Sequence, residues 1–217
     1  MGWWIKKFIF RILAFLAVLF GVLLYLHNSV FVFDGPDNGF LLTKTESVRY
    51  SIYLPAFYIH ITTGSIVLMS GVFQLSKWIR TRYPRWHRSA GKFYLFVVLI
   101  FTAPSGFVMS LYANGGLSAT IAFALLALLW WLFTWKGFQN AVHKQWDTHR
   151  EFMLRSYALT FSAVTLRLYS FLFALAGFRG ESIYVVIAWL SWVLSLIVME
   201  IWIRQKAFKQ VKESLLN

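Results

Sequence analysis

Histidine, glycine and glutamine recur at helical spacing in one apolar stretch of the chain. His60, Gly64, Gly71 and Gln74 fall on one face when residues are placed 100° apart, as in an α-helix. An imidazole on such a face can bind a ligand, ligate a metal or carry a proton. Glycine there lets a neighbouring helix or a flat ligand approach the backbone. The stripe therefore predicts either close helix packing, with His60 hydrogen-bonded to a neighbour, or a face turned to a cofactor or substrate.

A second apolar stretch places a histidine and an arginine on one helix face. His149 and Arg167 are five helical turns apart, and Ser156 and Thr160 lie between them on the same face. An arginine that faces lipid near the bilayer centre costs about 2.5–3.5 kcal/mol on insertion scales. We therefore expect Arg167 to point into a helix bundle, where it either holds helices together or binds an anion, a propionate or a carbonyl group.

Polar residues of a third apolar stretch lie at the same membrane depth as His60. They are predicted to complete one pocket with the two faces described above. Thr102, Pro104 and Ser105 lie in the same half of their stretch as His60 does in its own. Pro104 removes a backbone hydrogen bond and so opens carbonyl groups to a neighbour. The sequence predicts a ligand pocket in the outer half of the membrane, lined by His60, Gly64, Gly71, Thr102, Ser105, Ser156, Thr160 and Arg167.

Histidine–arginine pairs begin two stretches at the opposite, inner surface. The pairs are His87 with Arg88 and His149 with Arg150. Two histidines at equal depth on different helices could ligate one b-type haem, with the arginines at its propionates and Gln74 nearby. The alternative is that the basic side chains bind lipid phosphates.

Other charged residues near the inner surface predict smaller features. Glu200, the one acidic residue well inside an apolar stretch, is expected to pair with Arg204 one turn later, and Arg155 is expected to extend to the interface. Possible ligands of a metal ion are His143, Asp147 and His149.

The composition requires that membrane helices position these residues. Of 217 residues, 59% are apolar and 13% are charged, whereas soluble domains have about 45–50% and about 25%. A soluble domain of this size could not bury so many apolar side chains. The chain has no cysteine, which excludes disulfides, thiolate metal sites and cysteine nucleophiles. The net charge of +13 would suit a nucleic-acid-binding protein, but the hydrophobicity would not.

Six apolar stretches are long enough to cross a bilayer, which takes about 20 residues. They are residues 8–26, 51–75, 92–113, 118–135, 151–177 and 183–203. Most Lys and Arg residues lie on the side of the N-terminus, so the positive-inside rule places both termini in the cytoplasm and accounts for the charge without nucleic acid. The sequence predicts an all-α integral membrane protein: a single domain, residues 1–217, forming a bundle of six transmembrane helices in the bacterial cytoplasmic (inner) membrane.

In combination, these motifs resemble a known family. They are His60-Gly64-Gly71-Gln74, His87-Arg88-Gly91-Tyr94, Ala103-Pro104-Ser105-Gly106 and the segment from His149-Arg150 to Arg167. They are similar to an uncharacterised family of bacterial multi-pass membrane proteins, domain of unknown function 2306. The resemblance covers about residues 58–169 and implies that these positions belong to a shared site. The layout also loosely resembles cytochrome b561-type proteins, which hold two haems between paired histidines. Here only His60 lies within a span in the outer half, so one such haem at most is expected.

Three functions remain open at this point. The first is a redox protein with one b-type haem near the cytoplasmic face and a quinone-like acceptor in the outer pocket. The second is a transporter or binder of a small anionic or amphipathic ligand, a possible homodimer, with Arg167 as counter-ion and His60 as a proton-linked switch. The third is a membrane enzyme acting on a lipid, or a subunit of a larger complex, although acidic residues for general acid–base catalysis are scarce.

Overall fold

The structure, a computed structural model, describes residues 44–215. The first predicted span, 8–26, lies outside them. Five helices in the described part are long and apolar enough to cross a membrane: Tyr53–Leu75, Pro84–Ser110, Gly116–Val142, Trp146–Leu175 and Glu181–Phe208. These five correspond to the other predicted spans, and the protein is therefore a polytopic, all-α membrane protein in contact with the lipid bilayer.

The helices are numbered here in chain order. They are α1 (Thr45–Val48), α2 (Tyr53–Leu75), α3 (Lys77–Arg82), α4 (Pro84–Val97), α5 (Ala103–Ser110), α6 (Gly116–Val142), α7 (Trp146–Leu175) and α8 (Glu181–Leu215). A π-helical turn, Val98–Thr102, joins α4 directly to α5.

Several helices are longer than the apolar stretches that predicted them. The stretch 92–113 belongs to a helix that begins at Pro84, and α6 continues seven residues beyond position 135 to Val142. Pro84 suits a first helical turn because that turn leaves backbone N–H groups unpaired in any case. The helices extend beyond the predicted spans because a helix continues through its polar turns, whereas hydropathy marks only the part that suits lipid.

The chain divides into two compact units, of which the first ends at Tyr112. In this unit α2 packs against α4, the π-helical turn and α5. Tyr53, Phe57 and Ile61 of α2 form a buried cluster with Met109 and Tyr112 packed against it. This packing brings polar residues of α2 against the neighbouring span.

The second unit begins at Ala113 and contains α6, α7 and α8. Ala119 and Ala122 of α6 are buried against Ala188 of α8, and such small side chains let membrane helices approach closely. Thr165 of α7 donates a hydrogen bond of 2.5 Å to the carbonyl oxygen of Ser191 in α8. Each unit provides its own helix contacts, and the single domain expected from the sequence stays a prediction.

Candidate functional site

His60 is fixed to the neighbouring span by its Nδ1 atom. Nδ1 lies 2.9 Å from the carbonyl oxygen of Thr102. A carbonyl oxygen can only accept, so Nδ1 carries the proton of this hydrogen bond and Nε2 is the basic nitrogen of the neutral ring. The ring is half-buried. The sequence-based expectation that His60 is hydrogen-bonded to a neighbouring helix is therefore confirmed.

The acceptor carbonyl ends the π-helical turn Val98–Thr102. The Thr102 hydroxyl is 3.2 Å from the carbonyl oxygen of Val97, five residues back, and 2.9 Å from the hydroxyl of Thr63 on α2. Pro104 follows two residues later and has no N–H to offer to the preceding turn. Turns of this kind occur often at functional sites. The sequence predicted the opening of carbonyl groups at Pro104 but not the change of helix type.

Gly106 provides the space that the His60 ring occupies. A Cβ atom at position 106 would lie 2.8 Å from Cε1 of His60, closer than real Cβ contacts allow. Ser105, which is buried, donates to the carbonyl oxygen of Phe101 at 2.6 Å and also lies 3.1 Å from that of Thr102. Imidazole and hydroxyl thus converge on one carbonyl group. The predicted partners Thr102 and Ser105 lie beside His60, and Gly106 completes the group.

Gln74 of the predicted stripe on α2 also faces the neighbouring span. Gly71 is buried and Gly64 is half-buried. The side chain of Gln74 lies over Gly91 of α4, where an added Cβ would be 3.4 Å from the amide oxygen. Two residues of the stripe therefore pack α2 against its neighbours: Gln74 against α4 and His60 against α5.

The predicted pocket residues of α7 lie in the second unit. Ser156 and Thr134 of α6 share a buried hydrogen bond of 2.7 Å, and Thr160 donates to the carbonyl oxygen of Ser156 at 3.1 Å. Arg167 donates to the carbonyl oxygen of Ala163 at 2.8 Å. The Ser156 hydroxyl thus belongs to a contact between α6 and α7, whereas the Thr160 bond lies within α7. A common pocket for Arg167 and His60 stays a prediction.

His149 is anchored in the same manner as His60. Its Nδ1 lies 2.7 Å from the carbonyl oxygen of Gly137 on α6, and the edge of Trp146 approaches its ring at 6.4 Å between centroids. A Cβ atom at Gly137 would lie 2.6 Å from the sulfur of Met153, so the Met153 side chain would have to move to accommodate it. His87, the other predicted haem ligand, is half-buried on α4, and Arg88 beside it is exposed.

The predicted metal ligands do not form a metal centre. In residues 44–215 no three His, Asp or Glu side chains are grouped to hold an ion. His143 ends α6, and its Nδ1 pairs with the carbonyl oxygen of Gln139 at 2.8 Å. Asp147 and His149 are two residues apart in the first turn of α7, which places them about 200° apart around the helix. This geometry corrects the prediction from spacing.

An ion-pair network between α7 and α8 extends what the sequence predicted. Glu200 pairs with Arg204 at 3.2 Å, as expected. Its other carboxylate oxygen lies 2.9 Å from Nε of Arg155, whose side chain is only 16% exposed. Arg155 also lies 3.5 Å from Glu151. Arg155, which the sequence predicts to extend to the interface, thus has acidic partners on its own helix and on the adjacent one.

Comparison with known proteins identifies the family. A family model described as "Predicted membrane protein (DUF2306)" matches residues 57–203, and the chain belongs to this family. The match contains His60, His149 and both of their anchoring carbonyl groups. No curated protein and no solved structure matches the chain.

Proposed function

We propose that this DUF2306 protein binds a small anionic or amphipathic molecule within the membrane, with His60 as the recognition group. The observation that carries the proposal is the hydrogen bond of 2.9 Å from Nδ1 of His60 to the carbonyl oxygen of Thr102. It holds an ionisable ring inside a span, where such side chains are costly and are typically found at substrate or ion sites.

Because Nδ1 bonds to the carbonyl oxygen of Thr102, the proposed contact with the ligand is made by Nε2. In the neutral ring Nε2 accepts a hydrogen bond, and in the protonated ring it donates one and carries positive charge. Imidazole is the side chain that ordinarily changes charge between about pH 5 and 8. Ligand binding would therefore be linked to a proton: an anion favours the charged ring, and a quinone carbonyl accepts its N–H.

The surroundings of His60 support a preorganised site. Thr63 and Thr102 have hydroxyls 2.9 Å apart, and Gly106 leaves room for the ring against α5. A ring held by a backbone carbonyl and a glycine surface loses little freedom when a ligand arrives. A transporter with a proton-linked switch and a redox protein with a quinone site would both use this arrangement.

Thermal unfolding of the purified full-length protein tests the proposal. Octanoate is the anionic probe and a short-chain benzoquinone the neutral one. We expect one of them to raise the melting temperature, with octanoate more effective at about pH 5.5 than at about pH 8. The variant His60→Gln should lose the shift, whereas His143→Gln should retain it, because within the described residues His143 bonds to the carbonyl oxygen of Gln139 in its own helix. Equal shifts in wild type and His60→Gln would refute the proposal.

A second candidate function, electron transfer through one b-type haem, is favoured by the setting of His149. Histidines that ligate a metal usually donate their other ring N–H to a carbonyl or carboxylate, which fixes the ring. The bond of 2.7 Å to Gly137 has this form. Arg150 is left out of this proposal, because its guanidinium lies 5.7 Å above the ring of Trp202.

An absorption spectrum of the purified protein tests the haem. We expect a Soret band that shifts on reduction, and its loss in His149→Ala but not in His143→Ala. A wild-type protein that shows no Soret band after expression with added haem precursor would refute this second candidate. The ligand proposal for His60 would then stand alone.

We also propose that the protein lies in the bacterial cytoplasmic membrane with the α6–α7 turn in the cytoplasm. Lys136 and Lys144 lie near this turn, and Arg150 follows in the first turns of α7. In the α7–α8 turn, Arg179 is the only Lys or Arg residue. Cytoplasmic segments carry the excess of Lys and Arg in membrane proteins, which supports this orientation.

A further inference from the structure

A groove opens where α7 begins and α8 approaches its end. It is partly open to solvent and is lined by both helices. Asp147, Arg150 and Glu151 line it from α7, and Trp202 and Lys206 from α8. The spacing of three or four residues within each helix places these side chains on facing surfaces. The groove thus carries two acidic and two basic groups over an aromatic ring.

Three of these charged groups have no ionic partner within the described part of the chain. Asp147 and Lys206 make no ion pair there, and Arg150 contacts only the face of Trp202, at 5.7 Å from its centroid. Glu151 is already engaged by Arg155 at 3.5 Å. Unpaired charges of both signs in one groove are complementary to a ligand that carries both signs itself.

The base of the groove is apolar. Leu154 and Ile203 are buried beneath it, and Trp202 is an amphipathic ring of the kind found at membrane interfaces. The groove lies at the ends of two membrane-spanning helices. A ligand there has its polar part among the charges and its apolar part along the helices, as a phospholipid does.

From this arrangement we propose that the groove binds a phospholipid whose headgroup joins a phosphate to a primary ammonium group. Arg150 and Lys206 bind the phosphate, and the Asp147 carboxylate accepts hydrogen bonds from the ammonium group. A purely anionic headgroup would leave Asp147 unpaired beside a second negative charge. A quaternary ammonium group would match the charge but has no N–H to donate.

Lipid binding to the full-length protein in detergent, measured by native mass spectrometry, tests the site. The probes are dioleoyl phosphatidylethanolamine, phosphatidylcholine and phosphatidylglycerol at equal concentrations. We expect the ethanolamine lipid to bind about tenfold more tightly than either of the others, since it alone brings a cation with N–H donors to Asp147 while its phosphate binds Arg150 and Lys206.

Single substitutions test the ammonium group and the phosphate of the headgroup separately. Asp147→Asn should lower binding of the ethanolamine lipid to the level of the choline lipid, and Lys206→Gln should weaken all three lipids. Matched controls are Lys144→Gln, outside the groove at the same end, and Glu181→Gln, at the other end of α8. Both controls should bind like wild type. Equal binding of the three lipids, or an unchanged preference in Asp147→Asn with its melting temperature preserved, would overturn the proposal.

Discussion

The imidazole of His60 occupies the space in which a side chain at Gly106 would lie. A Cβ atom there would be 2.8 Å from Cε1 and 3.0 Å from Nδ1 of the ring. The same ring is bonded to the carbonyl oxygen of Thr102 at 2.9 Å. Any side chain at position 106 must therefore displace either the ring or the helix that presents this carbonyl group.

The first prediction is that Gly106→Ala destabilises the protein and disrupts the His60 site. Overpacking of this kind costs about 1–3 kcal/mol. Thermal unfolding should show the loss, and the probe response of His60 should disappear with it. Gly91→Ala is the matched control, because its Cβ would meet Gln74 at an ordinary 3.4 Å and alanine is the better helix former. If Gly106→Ala were as stable as Gly91→Ala, the proposed close contact would be contradicted.

The second prediction concerns the ion pair between α7 and α8. Glu200→Gln removes the acidic partner that lies 2.9 Å from Arg155, a side chain only 16% exposed. Leaving a largely buried guanidinium without this carboxylate should cost about 2–4 kcal/mol, measured by chemical or thermal unfolding.

A double variant separates pairing from packing at this site. Arg155→Met with Glu200→Gln should recover most of the lost stability, because no largely buried charge is left unpaired: Glu151 and Arg204, which also lose a partner, are 39% and 79% exposed. Glu46→Gln is the control, since Glu46 and Arg49 form an exposed pair at 3.6 Å and exposed pairs contribute little. If the single and double variants were equally destabilised, the pair would not be the cause.

The third prediction is a rise in stability with pH that depends on Lys44. This side chain is buried and donates to the carbonyl oxygen of Tyr112 at 2.6 Å, and burial lowers the pKa of Lys44 from 10.5 to about 8. Between these two values the unfolded chain holds the proton and the folded chain does not, so stability increases as the pH rises from about 8 to 10.5. The gain is about 1–3 kcal/mol.

Lys44→Met provides the comparison for this pH effect. The variant should show a flatter stability profile over the same interval, and its stability at neutral pH should be equal to or above that of wild type because no charge is buried. Melting temperatures in buffers across the interval measure both profiles. Parallel profiles for the two proteins would contradict the assignment to Lys44.

The fourth prediction concerns orientation, which the absence of cysteine makes easy to measure. Single cysteines are introduced by Gln145→Cys in the α6–α7 turn and Arg179→Cys in the α7–α8 turn, both at exposed positions. In intact bacterial cells a membrane-impermeant maleimide should label only position 179, and permeabilised cells should show labelling at both. The reverse pattern would invert the orientation.

The sequence predicted those features that depend on composition and spacing along one helix. Hydropathy located the five described spans, the 100° rotation placed His60 and Gln74 on the face that packs against the next span, and the four-residue spacing paired Glu200 with Arg204. Contacts between helices could be predicted from the sequence only where one helix has a polar or ionisable residue that needs a partner. Arg155 was assigned to the interface because nothing in its own helix reveals Glu200, which lies 45 residues further along the chain.

Other features depend on atomic positions that no periodicity encodes. Spacing suggested a metal site at His143, Asp147 and His149, but the turn directs their side chains apart. The close approach of Gly106 to His60 could not be predicted without knowing which helix packs there, although the sequence shows the glycine. Pro104 indicated that this span is irregular. Its missing N–H did not show whether the irregularity is a kink or a π-helical turn, because both are compatible with it.

The π-helical turn Val98–Thr102 contains one residue more than an α-helical turn. The side chains that follow it are therefore rotated relative to those that precede it. A single helical wheel drawn from Pro84 to Ser110 misassigns one end by about 100°, the rotation of one residue. Deleting one of these five residues would restore a uniform helix while turning Ser105 and Gly106 to another side. In any relative whose alignment has a one-residue gap here, the equivalent of His60 would lose its present acceptor.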